Sequence, residues 1–458
     1  MGANVSKLVP ITGVAMAPIT NIRFAKMPMW QVTSNVQLVQ APVIMSMLPS
    51  RFTGPCVLKT VNGSLVDSRF QLKSHYASPV YCVSIGPTAL ESPCCTDPCD
   101  SYNLLCGYYK RLVPLMPVVK LSVLLELRQF VRGYLTFFDP LPSFDYLDPC
   151  LFNSWLDSRE SYTLQRKAQL RAAFDTVATL SIRSKDYNCK SFVKRETYEV
   201  PKHLRFINSR SDRFKVVVGP IISLIEQSIY QDDHFVKHER VLDLPKILMR
   251  LSGYKYFVES DYTSFESGFS PVYADFVECE MWRYFLKNNP RVLKIILDAY
   301  LVPVAGGFKP RVQRLYSNQY EAQVVGSRMS GEMWTSLANS FSNLMNVLFL
   351  AYKSGQVLDG FVEGDDGVFG CNSLFLNPAM FEQLGFRIRL KYLTSLEQTS
   401  FCSVSFQLNS LRPLITPECI VRLFWSTASC YFGASMKKRL ALLRCKAQVC
   451  CIWLPIPQ

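Results

Sequence analysis

The chain lacks any apolar run of the roughly 18 to 20 residues that a membrane-spanning helix needs. The longest candidate, Leu112 to Leu127, is interrupted by Pro114, Pro117, Lys120 and Glu126. It also has no glycine-rich Walker loop, no HExxH, no internal repeat and no low-complexity tract, which leaves P-loop NTPases, zinc peptidases and solenoids without support. Regular CxxC pairs are missing as well. Cys94, Cys95, Cys99 and Cys106, with His75 and Cys82 upstream, are broken up by Pro93 and Pro98 and read as a plain loop, not a zinc cluster. Acid is in short supply against base: 36 Asp+Glu face 50 Lys+Arg, a net charge of +14. Such an excess suits a polyanionic partner, either nucleic acid or an acidic membrane surface.

With 458 residues, 49% of them hydrophobic, the chain can bury a large core shared among two or three subdomains. The 16 cysteines are scattered through a chain far larger than disulfide-stapled scaffolds, and read as reduced, buried thiols of the cytosol. Gly2, followed by Ala3 and by Ser6, fits the acceptor pattern for an N-terminal myristoyl group if Met1 is a true initiator. One acyl chain anchors weakly unless basic residues such as Lys7, Arg23 and Lys26 add a second attraction.

Residues 1–100, rich in Val, Thr, Ser and Pro, read as short strands and loops without nameable chemistry. Helical periodicity begins near Tyr102, with apolar residues at three- and four-residue intervals over Leu121 to Tyr134 and Tyr162 to Ile182. From Arg183 to Lys215, ten cations face four anions. Several sit in strand-like stretches: Phe192-Val193-Lys194, Leu204 to Ile207 and Arg213 to Val218. Strands presenting Lys and Arg at fixed intervals suit the lining of a phosphate channel.

Three stretches carry candidate chemistry. Gly364-Asp365-Asp366-Gly367, between Phe361-Val362 and Val368-Phe369, reads as a hairpin tipped with two carboxylates, Asp-Gly being a favoured hairpin turn. Adjacent carboxylates repel, and keeping both ionised calls for a cation and a third acid. Gly-Asp-Asp arises by chance in roughly one chain in ten of this length, so the turn means little alone. The third acid is Asp261, at the end of a strand Tyr256 to Ser260 and five residues before Glu266. The most specific string is Ser330-Gly331-x-x-x-Thr335-x-x-x-Asn339, expected by chance in about one such chain in several hundred. It opens a helix with Trp334, Leu337, Ala338, Phe341, Leu344, Met345 and Leu348 on its apolar face and Thr335, Asn339, Asn343 and Asn346 in a polar stripe.

In their order these stretches resemble palm motifs A, B and C of viral RNA-dependent RNA polymerases, nearest the tombus-like and noda-like replicases of positive-strand RNA viruses. Phe192 to Glu196 and Arg205 to Arg210 are similar to motif F, Leu384 to Lys391 to motif D, and Ser400-Phe401-Cys402 to motif E. The resemblance implies an α/β (α+β) right hand whose palm is an antiparallel sheet flanked by helices. Its expected parts are an N-terminal extension over 1–100, fingers over 101–250, a palm over 251–400 with a fingers insertion near 271–325, and a short thumb over 401–458. It implies that Asp261 and Asp365, helped by Asp366, hold two Mg²⁺ or Mn²⁺ ions. Glu266 and Asn339 would read the ribose, Ser330, Gly331 and Thr335 would lie against nucleotide or template, and Lys194, Arg205 and Arg210 would line the access route for triphosphate. Lys391 is the expected proton donor to pyrophosphate, with Arg387 and Arg389 competing for the alignment. Expected partners are template and nascent RNA, nucleoside triphosphates, a membrane surface and other replication proteins, in the host cytoplasm at membrane-associated replication sites. Position 266 is Glu where many relatives carry Asp. Two other readings stand beside this one: a reverse transcriptase, which would want an aromatic gate where Glu266 stands, and a lipid-anchored RNA-binding scaffold without activity.

Overall fold

The computed structural model describes residues 56–61, 64–72, 83–85, 101–114, 116–196, 202–407, 411–415, 424–431 and 433–451. Gly2 and Cys94, Cys95 and Cys99 lie outside them. No described helix is long and apolar enough to cross a membrane. Cys106, Cys150, Cys189, Cys279, Cys371, Cys402, Cys430 and Cys445 are free.

Strands β1 (Cys56–Val61) and β2 (Ser64–Leu72) form an antiparallel hairpin, and β3 (Val83–Ser84) follows. After α1 (Ser101–Gly107) comes α2 (Leu121–Leu135), which buries Val123, Leu124, Leu127, Val131 and Leu135 as the three-and-four spacing requires. Asp148 caps α3 (Pro149–Asp157) by accepting the Cys150 N–H at 2.8 Å, and Thr163 caps α4 (Leu164–Leu180). Next are β4 (Cys189–Val193) and β5 (Phe206–Arg210), as the strand-like basic stretches predict.

Arg213 to Val218 departs from expectation: it forms the start of α5 (Asp212–Ile229), not a strand. Ser211 accepts the Phe214 N–H at 3.2 Å, and Asp212 in the first turn pairs with Arg166 at 2.5 Å. Phe214, Val217, Val218, Ile221, Ile225 and Ile229 are all buried, α5 packing on α3 and α4. Burial against two helices outweighs the modest β preference of three valines.

The chain continues through α6 (Leu244–Leu248), β6 (Tyr256–Tyr262), α7 (Pro271–Phe276), α8 (Glu278–Phe285) and α9 (Pro290–Leu297). A hairpin of β7 (Leu301–Val304) and β8 (Gly307–Pro310) precedes β9 (Gln313–Tyr316) and β10 (Tyr320–Val324). Strands from three distant stretches then assemble one six-stranded sheet, ordered β1-β2-β10-β9-β4-β5. The first hundred residues thus supply two strands to the sheet that carries the basic β4 and β5.

The helix expected after Ser330 is α10 (Thr335–Lys353), with its predicted apolar face packed in the largest core beside Trp282 and Trp334. It leads into β11 (Leu358–Glu363) and β12 (Asp366–Cys371), then α11 (Pro378–Glu382) and β13 (Ile388–Leu393). The four-stranded sheet runs β11-β12-β6-β13, antiparallel throughout. Its one face, with Val362, Phe369, Tyr262 and Ile388, joins the helical core. On the other face, Phe361, Val368 and Phe257 form a second core with Leu244 and Leu248 of α6 and with Phe401 and Val404. Those last two belong to β14 (Ser400–Phe401) and β15 (Val404–Gln407), which with β16 (Arg412–Ile415) make a small antiparallel sheet. β17 (Trp425–Ser426) pairs with β3, and α12 (Met436–Cys451) closes the described chain. The α+β class and the antiparallel sheet flanked by helices are as expected.

The outer edge of β11 is held by Phe235, bridged in parallel to Val362, with the Val362 N–H donating to the His234 carbonyl at 2.9 Å. His234 Nδ1 lies 2.5 Å from Asp232 Oδ1 and its Nε2 3.4 Å from Asp359 Oδ1. Burial opposes the charge on His234, but hydrogen bonds to Asp232 and Asp359 outweigh it and raise the imidazole pKa to about 9. A raised folded-state pKa contributes stability that is complete below the unfolded value near 6.5 and is lost as pH rises through 9. The unfolding free energy of the wild type, read by denaturant titration, should therefore fall by about 3 kcal/mol between these limits, and His234→Gln should flatten that part of the profile. Parallel profiles for the two proteins would remove His234 from this role.

Candidate active site

The four-stranded sheet places its acids by register. Glu363 stands opposite Asp366 in the β11-β12 hairpin, the Gly367–Ser260 pairing sets Asp366 beside Asp261, and Asp261 stands opposite Arg389 of β13. One row across the sheet thus reads Glu363, Asp366, Asp261, Arg389, all on the same face because side chains alternate with period two. The turn itself is shifted from expectation. Gly364-Asp365, not Asp366-Gly367, makes the two-residue connection: Gly364 takes φ +62° while Asp366 is already paired in β12.

The carboxylates feel one another. Burial raises the pKa of Asp366 first, and then Asp365, Asp261 and Glu363 push it further, to about 7, with Arg205 opposing. Arg205 precedes β5, so positive charge beside the six-stranded sheet is felt by the acids of the other. Glu266 follows β6 through Ser264, which is left-handed at φ +52°, and a short 3₁₀ turn. Its carboxyl lies 3.7 Å from Arg111, and burial raises its pKa, against Arg111 and Arg205.

Helix α10 holds the acidic turn from behind. Ser340 Oγ accepts the Gly364 N–H at 2.7 Å, and the Asn343 amide donates to the carbonyls of Gly364, Asp365 and Asp366 at 3.4, 3.2 and 3.1 Å. Asn346 meets the Tyr273 hydroxyl at 2.8 Å, so that part of the polar stripe is internal. One turn before Asn343, Asn339 keeps a buried Oδ1 without a hydrogen-bond partner.

The loop before α10 is tied to β5. The Ser330 carbonyl accepts the Asn208 N–H at 2.5 Å, and Gly331 at φ +114° leaves no room for a side chain, since a Cβ would stand 2.8 Å from Ile207 Cγ2. Thr335 Oγ1 accepts from the Gly331 N–H at 3.2 Å and donates to the Glu332 carbonyl at 3.1 Å, so it knots the loop rather than facing solvent.

Arg210 departs from the expected access route. It is buried, its Nε donating to Glu332 at 2.6 Å and its Nη2 to Gln313 at 3.1 Å. It therefore holds the Ser330-Gly331 loop to the six-stranded sheet and has no free donor pattern for phosphate. Lys194 stays nearer the surface, 2.5 Å from Glu196, which also lies 3.6 Å from Arg205. Lys391 is one pair further along the sheet than expected for a proton donor: it faces Glu259, at 3.2 Å, while Arg389 is the cation beside Asp261.

Hard oxygen donors and mutual repulsion fit a divalent cation better than any other partner. Among the described residues, however, no three such side chains are gathered into a coordination cluster. Asp261, Asp365 and Asp366 are the residues that would hold the ions. Sequence reasoning found Asn343 as a stripe member without its role. Arg111 and Glu332 it missed, because their partners lie far away in the chain.

Residues 234–441 match the family described as viral RNA-dependent RNA polymerase. The matched stretch contains Asp261, the Ser330 to Asn339 string, Asp365 and Asp366, and the whole four-stranded sheet. No curated protein matches the chain. The family match supports RNA-directed RNA polymerase activity, a right-hand fold, and RNA and nucleoside triphosphates as substrates.

Replacing Asn343 by Leu should cost about tenfold or more in turnover, through the lost grip on the Asp365 backbone, while RNA affinity holds; equal losses in both would mark a general folding defect. Arg210→Ala should cost about 3 to 5 kcal/mol of stability, since it leaves Glu332 buried and unpaired. Denaturant titration reads that loss, and a variant that keeps full stability but raises the KM for triphosphate would return Arg210 to the access route.

Proposed function

We propose that this RNA-directed RNA polymerase copies the genome of a positive-strand RNA virus, in the manner of tombus-like and noda-like replicases, by adding nucleotides to the 3′ end of RNA. The observation that carries the proposal is the row of Asp366 and Asp261 beside Asp365, with Arg389 opposite Asp261 and the charge of Arg205 acting on Asp366.

Asp261 and Asp365 would hold two Mg²⁺ or Mn²⁺ ions, Asp366 assisting. Bound there, the cations supply charge neutralisation and Lewis acidity to the attacking hydroxyl and the leaving pyrophosphate. The chain's own groups do the rest. Arg205 and Lys194 draw the triphosphate toward the acids, and their pairing with Glu196 keeps them aligned until a phosphate replaces it. Glu266 and the unsatisfied Oδ1 of Asn339 offer acceptors to ribose hydroxyls, a hydrogen-bonding choice that favours ribonucleotides over deoxyribonucleotides. Arg389 stabilises the leaving phosphates as a fixed positive charge. Lys391 would serve as their proton donor after release from Glu259.

Such transfer depends on positioned charge more than on a protein nucleophile. Attachment at cytoplasmic membranes, with other replication proteins, is proposed on the sequence around Gly2 alone.

Template extension with labelled UTP tests the proposal. Asp365→Ala should lower the rate by about three orders of magnitude with the melting temperature held, and Asp366→Ala should lower it less. Undiminished extension by Asp365→Ala would overturn it.

A further inference from the structure

The six-stranded sheet is buried on one face and open on the other. Cys189 and Ser191 of β4, with Leu315 of β9, point inward. On the open face of the same strands stand Lys190 and Phe192, and Arg314 and Tyr316. Phe192 is 49% exposed and Tyr316 42%. Each ring is half exposed, and two such rings on neighbouring strands make an aromatic patch of the kind that marks a binding surface.

Register brings the four residues together. Lys190 pairs with Tyr316 across the β4-β9 ladder and with Ser209 across β4-β5, and Phe192 pairs with Ile207. The rings are diagonal neighbours, roughly 7 to 8 Å apart by sheet geometry, on the scale of one nucleotide step. Arg314 lies two residues before Tyr316 on the same face, so a cation accompanies each ring. Glu321, opposite Tyr316, is the acid on β10 of that face, and it already has a partner.

The face is continuous with the catalytic row. Ile207 lies against Gly331, and Arg205, two residues earlier, acts on Asp366 and Glu266. Chain bound along β9, β4 and β5 would therefore be led toward the acids.

We infer that the open face of β4 and β9 is a stacking platform for single-stranded RNA, with bases on Phe192 and Tyr316 and phosphates on Lys190 and Arg314. Exposed aromatic rings interleaved with cations on a sheet bind single strands because every base has a stacking face, whereas paired bases hide theirs. An acidic membrane would use the cations but leave ring spacing without purpose. The platform rests on the polymerase reading for its role, as the surface that holds template before it is copied, but not for its binding chemistry.

Fluorescence anisotropy of the full chain with labelled decauridylate and decaadenylate, without triphosphate or divalent cation, tests it. Phe192→Ala with Tyr316→Ala should weaken both oligomers about tenfold or more and leave duplex RNA unaffected. Phe192→Tyr with Tyr316→Phe should bind as wild type, which separates stacking from misfolding. Lys190→Ala with Arg314→Ala should lower the slope of log affinity against log salt by about 1.4, at about 0.7 per contact. Wild-type affinity in the double alanine ring variant, or equal weakening of duplex binding, would overturn the platform. Those results are independent of whether Asp365→Ala abolishes extension, because binding is read without triphosphate or divalent cation and so without catalysis.

Discussion

Like charges held side by side on a sheet are the constraint around which this protein is built. Glu363, Asp366 and Asp261 occupy neighbouring strands at one level, with Asp365 in the adjoining turn, and burial first and then these neighbours push the Asp366 pKa up to about 7. Repulsion of this kind would favour a slipped register, which would turn every acid to the opposite face. Two cores prevent the slip. Val362 and Phe369 are locked among the helices, while Phe361 and Val368 are locked under α6 and β14-β15, so neither strand can shift by one residue without exposing both sets.

The compensation for the acids comes from far away in sequence. Backbone carbonyls of the turn are satisfied by Asn343, positive charge arrives from Arg205 and Arg389, and His234 with Asp232 and Asp359 secures the free edge of β11. The two sheets are joined at the Ser330-Gly331 loop, where the Asn208–Ser330 hydrogen bond and the buried Arg210–Glu332 pair leave little freedom between β5 and the start of α10. A single loop thereby couples the surface on which RNA would lie to the helix that holds the acidic turn.

Much of the candidate site was legible before folding. Asp261, the Ser330 to Asn339 string and the Gly-Asp-Asp turn announce themselves because each is local: a strand end, a helix start and a hairpin each need certain residues at certain spacings. Where local rules failed, tertiary contacts had overruled them. Three valines in Arg213 to Val218 suggest a strand, but burial on α3 and α4 makes them helix. Arg210 belongs to a basic stretch and was expected to meet phosphate, yet its partner is Glu332, 122 residues on. The hairpin turn moved by two residues because Gly364, not Gly367, supplies the positive φ, and the pairing of Asp366 with Glu363 follows.

By itself the sequence determined which acids, amides and glycines this protein has to work with, their order, and the helix and strand ends on which they sit, since all of these follow from spacing along one segment. Only the tertiary structure decided what those groups face. Asp365 lies beside Asp366 because the chain says so; Asp261 joins them because β6 inserts between β12 and β13. Lys391 meets Glu259 and Arg389 meets Asp261 because strand register, set by packing on both faces of the sheet, chooses the pairs. The same holds for Phe192 and Tyr316, far apart in the chain until a parallel ladder of β4 on β9 makes them diagonal neighbours, each half exposed.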